Sequence, residues 1–362
     1  MAMQLFPVRS DRTSLSVTDV GGQLSDVTFT LTDGRQVRPM HIAPWANEPL
    51  ADVLPPILRV LRGDFFCAPF GSSDVIPGET RVHGLPASGN WRVTNSSANR
   101  LDALLDGKVL GATLAKHVEV RPGETVVYQR HTLTGGSGRV PYGHHAMLHA
   151  ESPLALAFSK RMVALTPPEP VETPPDGYPL LTENQVIGDL HRAARPGGGT
   201  VDLTTFPSPD GFEALWMVLS DQGSSFAWTA ATALNEGWVW FGLKNPRLLP
   251  QTLVWFSNGG RLYSPWNGRH RHCVGLEEIC GYFHIGHAAS VADNPVAARG
   301  SRTAVDLDPR KPFTVSYIFG MAAAPAGFGA VADIQPVSGG IKLIDASGRE
   351  TFAACDPAYL AG

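Results

Sequence analysis

Two adjacent carboxylates, Glu277 and Glu278, sit inside the apolar segment Gly275-Leu276-Glu277-Glu278-Ile279-Cys280. Two histidine segments lie far upstream, Val82-His83-Gly84 and Gly143-His144-His145. A carboxylate with an ordinary pKa of about 4.3 is ionised at neutral pH and can accept a proton. An imidazole of pKa about 6.5 can deliver one at the same pH. Brought together, these groups would move protons on and off a neutral substrate, a chemistry that calls for no cofactor and no metal.

Such groups are useful only if strands aim them at one point. Successive side chains of a strand face opposite ways, so only one of Glu277 and Glu278, and one of His144 and His145, can serve a common pocket. If His145 faces it, Met147 and His149 share its side. His145 and His149 would then stand about 13 Å apart at ~3.3 Å per residue, too far to share one ion. Cys67, Cys273, Cys280 and Cys355 form no CxxC pair, and they read as buried thiols of a reducing cytosol.

Aromatic residues surround this chemistry. Four of the eight tryptophans lie within residues 238–266, which also carry Asn258 and lead into Asn267, Arg269 and His270. Sugars offer flat C–H faces that stack on rings and hydroxyls that need polar partners. Candidate binding residues are Arg62, Trp91, His144, Trp255, Trp266, Asn267, Arg269 and Glu278.

The positioning elements read as strands. Charged residues make up only 17% of the chain, while 38 Gly and 30 Pro are spread along it, a pattern of many turns between short strands. Segments 14–17, 27–31, 216–219, 225–228, 238–243, 252–256 and 313–319 carry strand signal. The clearest hairpin spans 112–133, where Arg121-Pro122-Gly123-Glu124 suits a type II turn. Residues 313–319 alternate as a half-buried strand would. Pro55-Pro56 limits residues 50–61 to short turns, and 185–195 reads as a short helix. The strand pattern is the same on both sides of the proline-rich stretches 167–179 and 207–209. The expectation is one all-β domain over 1–362, a large antiparallel β-sandwich with few short helices.

With 29 basic and 33 acidic residues and no basic tract, neither a nucleic-acid nor an anionic-membrane partner is expected. The N-terminus shows no basic and apolar signal-peptide pattern, and no apolar run reaches the ~20 residues of a membrane span, so a cytoplasmic protein is expected. Oligomeric state is silent.

The order of these motifs resembles the aldose 1-epimerase (galactose mutarotase-like) family. The resemblance rests on Arg62-Gly63 leading to Pro69-Phe70-Gly71, His83-Gly84 followed by Trp91, a second histidine at His145, Leu249-Pro250-Gln251-Thr252 leading to Trp255, and then Leu276-Glu277. Each motif is inexact: Ala146-Met147-Leu148 and Glu278 stand where the family often has Pro-Tyr-Phe and Pro. The resemblance implies a galactose mutarotase-like supersandwich and interconversion of the α and β anomers of an aldose. It assigns Glu277 as general base, His145 as general acid to the ring oxygen, and His83 as its hydrogen-bond partner. A sugar-phosphate substrate would call on Arg62, Arg81, Arg269 or Arg271. A sugar-binding Asp is also implied, with Asp189, Asp202 and Asp210 as candidates. A carbohydrate-binding protein without turnover is the rival reading.

Overall fold

Alternating apolar residues give strands that pair into two large antiparallel sheets in the computed structural model, which describes residues 3–51, 53–74 and 81–361. Met1 and Ala2, part of the segment read for a targeting signal, lie outside them. An eight-stranded sheet runs Val186–Ile187, Arg161–Leu165, Phe212–Ser220, Gln251–Asn258, Cys273–Cys280, Tyr142–His144 and Phe66–Cys67, with Ala146–His149 also paired to Cys273–Cys280. A nine-stranded sheet runs Thr205–Phe206, Leu154–Phe158, Ala227–Ala233, Trp238–Lys244, Phe313–Ala323, Val126–Gly135, Ala112–Glu119, Arg100–Leu105 and Trp91–Ser96.

The main core joins the two sheets. Val254, Phe256, Val274 and Leu276 of the first pack with Trp240, Tyr317 and Phe319 of the second. The opposite face of the eight-stranded sheet carries Leu215, Met217, Leu253, Trp255 and Ile279. It packs on loop residues Trp45, Ile57, Phe65, Phe70 and Trp266. These two faces of one sheet organise everything below.

The expected strands lie in or overlap observed ones. The 112–133 hairpin pairs Glu119 with Tyr128 across a turn closed by Glu124 N–H donating to the Arg121 carbonyl, with Gly123 at φ +80°. Two expectations are corrected. Residues 185–195 hold only a 3-10 turn, Leu190–Arg192, between two-residue strands, with Asp189 accepting from the His191 N–H. Residues 50–61 hold the short turns expected of them, among them the 3-10 turn Pro56–Arg59. Phe313–Ala323 is buried on both faces, because the C-terminal sheet Val331–Val337, Gly340–Asp345 and Glu350–Ala354 covers its outer side through Ile334, Ile341 and Leu343. Among the described residues no helix is long and apolar enough to cross a membrane.

Candidate active site

The loop-covered face of the eight-stranded sheet holds a cavity whose empty space, open mouth included, is about 710 Å³. His83, His145, Glu277, Trp255 and Trp266 line it, together with Arg261 and His284. Ile57, Leu58, Leu61, Leu215 and Leu253 supply apolar wall.

Strand alternation selects between the paired candidates. Glu277 lies on the cavity face of Cys273–Cys280, and Glu278 faces the sandwich interior. His144 ends the Tyr142–His144 strand and points inward to Asp64, with Nδ1 3.1 Å from Oδ2. His145, in the break before Ala146–His149, turns into the cavity and donates its backbone N–H to Phe65. Its ring stacks on Phe65 at 4.6 Å. His145 Nε2 stands 3.4 Å from Glu277 Oε1, and the His83 ring meets His145 edge-on at 5.0 Å. The Glu277 carboxylate folds back over Gly275, where an added Cβ would meet Oε1 at 2.7 Å.

His83 occupies a left-handed backbone position (φ 62°) that starts the short helix Gly84–Ser88. Its Nδ1 accepts the Gly71 N–H at 3.4 Å, so the neutral ring carries its proton on Nε2.

Burial dominates the electrostatics. It pushes the Glu277 carboxyl well above the ordinary carboxylate range against the opposing pull of Arg261. Burial, then the neighbouring His83, drives His145 well below the usual imidazole value. Burial, then His284, lowers His83 to about 3, and burial with Arg261 lowers His284 to about 4. The cavity therefore favours a neutral pair, carboxylic acid and imidazole, in place of carboxylate and imidazolium.

Arg261 and His284 were missed in the sequence. Arg261 follows Gly259-Gly260 and lies over the Trp266 ring at 4.5 Å and the Trp255 ring at 5.2 Å. Its Nε donates to Glu172 Oε1 at 2.6 Å, and Glu213 Oε2 is 3.8 Å away. Glu213 accepts from Trp255 Nε1 at 2.8 Å and from Ser257 Oγ at 2.9 Å, and burial raises it to about 7. An arginine among tryptophans was a readable signal. His284, in Tyr282-Phe283-His284 beyond the strand end, offered none.

The remaining candidates lie elsewhere. Arg62 is buried, with Nε donating to the Val60 carbonyl. Trp91 donates Nε1 to the Pro86 carbonyl and lies near Lys116. Asn267 sits exposed in a turn at φ 44°. Arg269 pairs with both oxygens of Glu48, at 2.5 and 2.7 Å. Asp189 caps its own turn, Asp202 pairs with His191, and Asp210 pairs with Arg271. None of these lines the cavity. The carboxylates next to its wall are Glu172 and Glu213.

No protein-family model matches this chain, and no curated protein matches it either. Solved structures do match. A putative aldose 1-epimerase from Escherichia coli K12 is similar at TM-score 0.61 and 12% identity, over 89% of this chain and 100% of that one. A galactose mutarotase related enzyme from Lactobacillus acidophilus is similar at TM-score 0.56 and 11% identity, over 89% and 98%. A GalM/aldose epimerase homologue from C. elegans is similar at TM-score 0.57 and 10% identity, over 90% and 100%. The chain has the galactose mutarotase-like β-sandwich fold that the motif order implied.

Proposed function

We propose that this cavity opens and recloses the ring of a free aldose, interconverting its α and β anomers. The observation that carries the reading is the buried His145–Glu277 pair, 3.4 Å apart, beside His83 in a cavity that Trp255 and Trp266 also line.

The reaction moves one proton between two sites. With a pyranose bound, the proton of the neutral pair passes from Glu277 to His145 across their 3.4 Å contact; the carboxylate then takes the proton of the C1 hydroxyl as the imidazolium gives one to the ring oxygen. The C1–ring-oxygen bond breaks, and C1 becomes a carbonyl. Glu277 is then a carboxylic acid and His145 a neutral imidazole, the pair that burial favours. Rotation about C1–C2 presents the other carbonyl face. The ring-oxygen hydroxyl attacks C1, His145 takes back its proton, and Glu277 reprotonates the carbonyl oxygen. Charges and protons balance at each step, and the cavity's preference for the neutral pair helps the ring-opened state. His83 donates Nε2–H to the ring oxygen as negative charge develops there.

A neutral sugar fits this wall better than a sugar phosphate. Arg261 is the one cationic side chain among the described lining residues, and Glu172 and Glu213 flank it. An added dianion would meet those two carboxylates. Four free, buried cysteines agree with a cytoplasmic setting.

The test is polarimetric mutarotation of α-D-glucose, α-D-galactose and a wider aldose panel, with wild type and Glu277→Gln. Catalysis above the buffer rate, lost in the variant, is the expected result. Wild-type rates equal to buffer across the panel sink the reading, and sugar binding without turnover would make this a binding protein.

A further inference from the structure

Behind the Trp255 wall lies a second cluster that the proton chemistry does not use. His41, His270 and Cys273 are buried at 4%, 1% and 0% exposure, and one ligand atom from each lies within 4.8 Å of the others. His41 comes from the loop before the first strand of the sheet, His270 from the turn after Trp266, and Cys273 from the start of the central strand.

Hydrogen bonding fixes how both imidazoles present themselves. His149 Nε2 stands 2.7 Å from the Glu151 carboxylate, an acceptor only, so it carries the proton there. His149 Nδ1 is then an acceptor, and it meets His41 Nδ1 at 3.3 Å, which must donate. On the other side, Ser257 Oγ donates to Glu213 Oε1 at 2.9 Å and so accepts from His270 Nδ1 at 2.7 Å. Both rings are thereby held as Nδ1–H tautomers, each with a bare Nε2 lone pair. Both Nε2 atoms are buried and have no hydrogen-bond partner among the described residues. An orphaned buried acceptor is costly, and two beside one thiol call for an explanation.

We propose that His41 Nε2, His270 Nε2 and the Cys273 sulfur bind one thiophilic d10 metal ion. Two neutral imidazoles and a thiolate are soft to borderline donors of the kind that hold Cu⁺ or Zn²⁺. Ligands at about 2.0–2.3 Å from an ion stand some 3.5–4 Å apart, so the cluster closes by about an ångström on binding. Cys273 loses its proton to solvent as the ion enters. Three donors in a dry site among Trp45, Trp255 and Trp266 give a neutral complex with Cu⁺ and a net positive one with Zn²⁺, so desolvation favours Cu⁺. The Glu151–His149 and Glu213–Ser257 pairs are the outer-shell partners that usually orient metal-bound histidines.

The site also reaches the sugar cavity. The His270 ring stacks on Trp255 at 5.3 Å, and Glu213 holds both Ser257 and Trp255 Nε1. A bound ion would stiffen that wall.

The test is metal retention by the full chain. Stripped protein is loaded anaerobically with Cu⁺ or with Zn²⁺, passed over a competing chelator, and assayed for metal content and denaturation midpoint. An equimolar retained ion with a raised midpoint is expected, and the two arms decide which ion binds. Cys273→Ser should abolish retention, His149→Ala should weaken it ~10–100-fold as an outer-shell loss, and Cys280→Ser should leave it intact. If Cys273→Ser fails to fold, His41→Asn serves in its place. No retention in either arm, or retention unchanged in Cys273→Ser or His41→Asn, overturns the proposal.

Discussion

Glu277 and Glu278 are chain neighbours, both almost fully buried at 2% and 0% exposure, yet they face opposite environments. Glu278 points between the sheets, where Lys244 forms an ion pair with it and Thr229 and Thr252 donate at 2.6 and 2.8 Å. Glu277 has no such cation in an ion pair among the described residues. Its nearest charged-type partner is His145, which burial keeps neutral. Equal burial therefore has unequal consequences. On the interior face Glu278 is matched by Lys244 and is structural. On the cavity face the group is held off its ordinary pKa, the condition that suits it to exchange a proton during a reaction.

The comparison breaks most visibly on its interior side. Glu278→Leu leaves Lys244 charged and unpaired between the sheets, which should cost about 3–5 kcal/mol in denaturant unfolding. The double variant Glu278→Leu, Lys244→Met should recover most of that loss. On the cavity side, His145→Gln should lower mutarotation about 10²–10⁴-fold, with a denaturation midpoint close to wild type.

Acid pH sharpens the cavity side further. Burial and Arg261 hold His284 at about 4 in the folded chain, below the ordinary value of about 6.5. Between those values the unfolded chain binds a proton that the folded chain refuses. Stability should therefore fall as pH drops from about 6.5 to about 4, by up to ~1.4 kcal/mol per unit for this residue. Other buried histidines, His83 among them, add to the same slope, so His284→Asn should make it shallower by this residue's share, which midpoints at pH 7 and pH 5 would read. The smallest effect belongs to Gly275→Ala: the new Cβ pushes Glu277 Oε1 aside, and the mutarotation rate should fall about tenfold with little change in binding.

Much of this arrangement was legible in the chain. The period-2 alternation by itself places Glu277 and Glu278, and His144 and His145, on opposite faces. It also put Met147 and His149 on the side of His145, and Met147 does pack in the cavity-side core. The turn at Pro122-Gly123 was readable from local backbone preference. What was not legible came from long-range closure. Arg62, Trp91, Asn267 and Arg269 belong to segments that reach the sheet, but their side chains leave in other directions. Arg261 and His284 enter the cavity from connections whose path only the folded chain defines. The His41–His270–Cys273 cluster has no sequence spacing to betray it, because His41 comes from a distant loop. The half-buried reading of Phe313–Ala323 failed because a third sheet covers the face that alternation assigns to solvent.

The central claim is that one strand separates chemistry from stability at adjacent residues. The direct measurement is kcat/KM for aldose mutarotation and the denaturation midpoint, taken together on Glu277→Gln and Glu278→Gln. The account predicts that Glu277→Gln loses about 10²–10⁴-fold in rate while keeping or raising its midpoint, and that Glu278→Gln loses midpoint while its folded fraction turns over like wild type. Full activity in folded Glu277→Gln, or a rate collapse confined to Glu278→Gln, would contradict it.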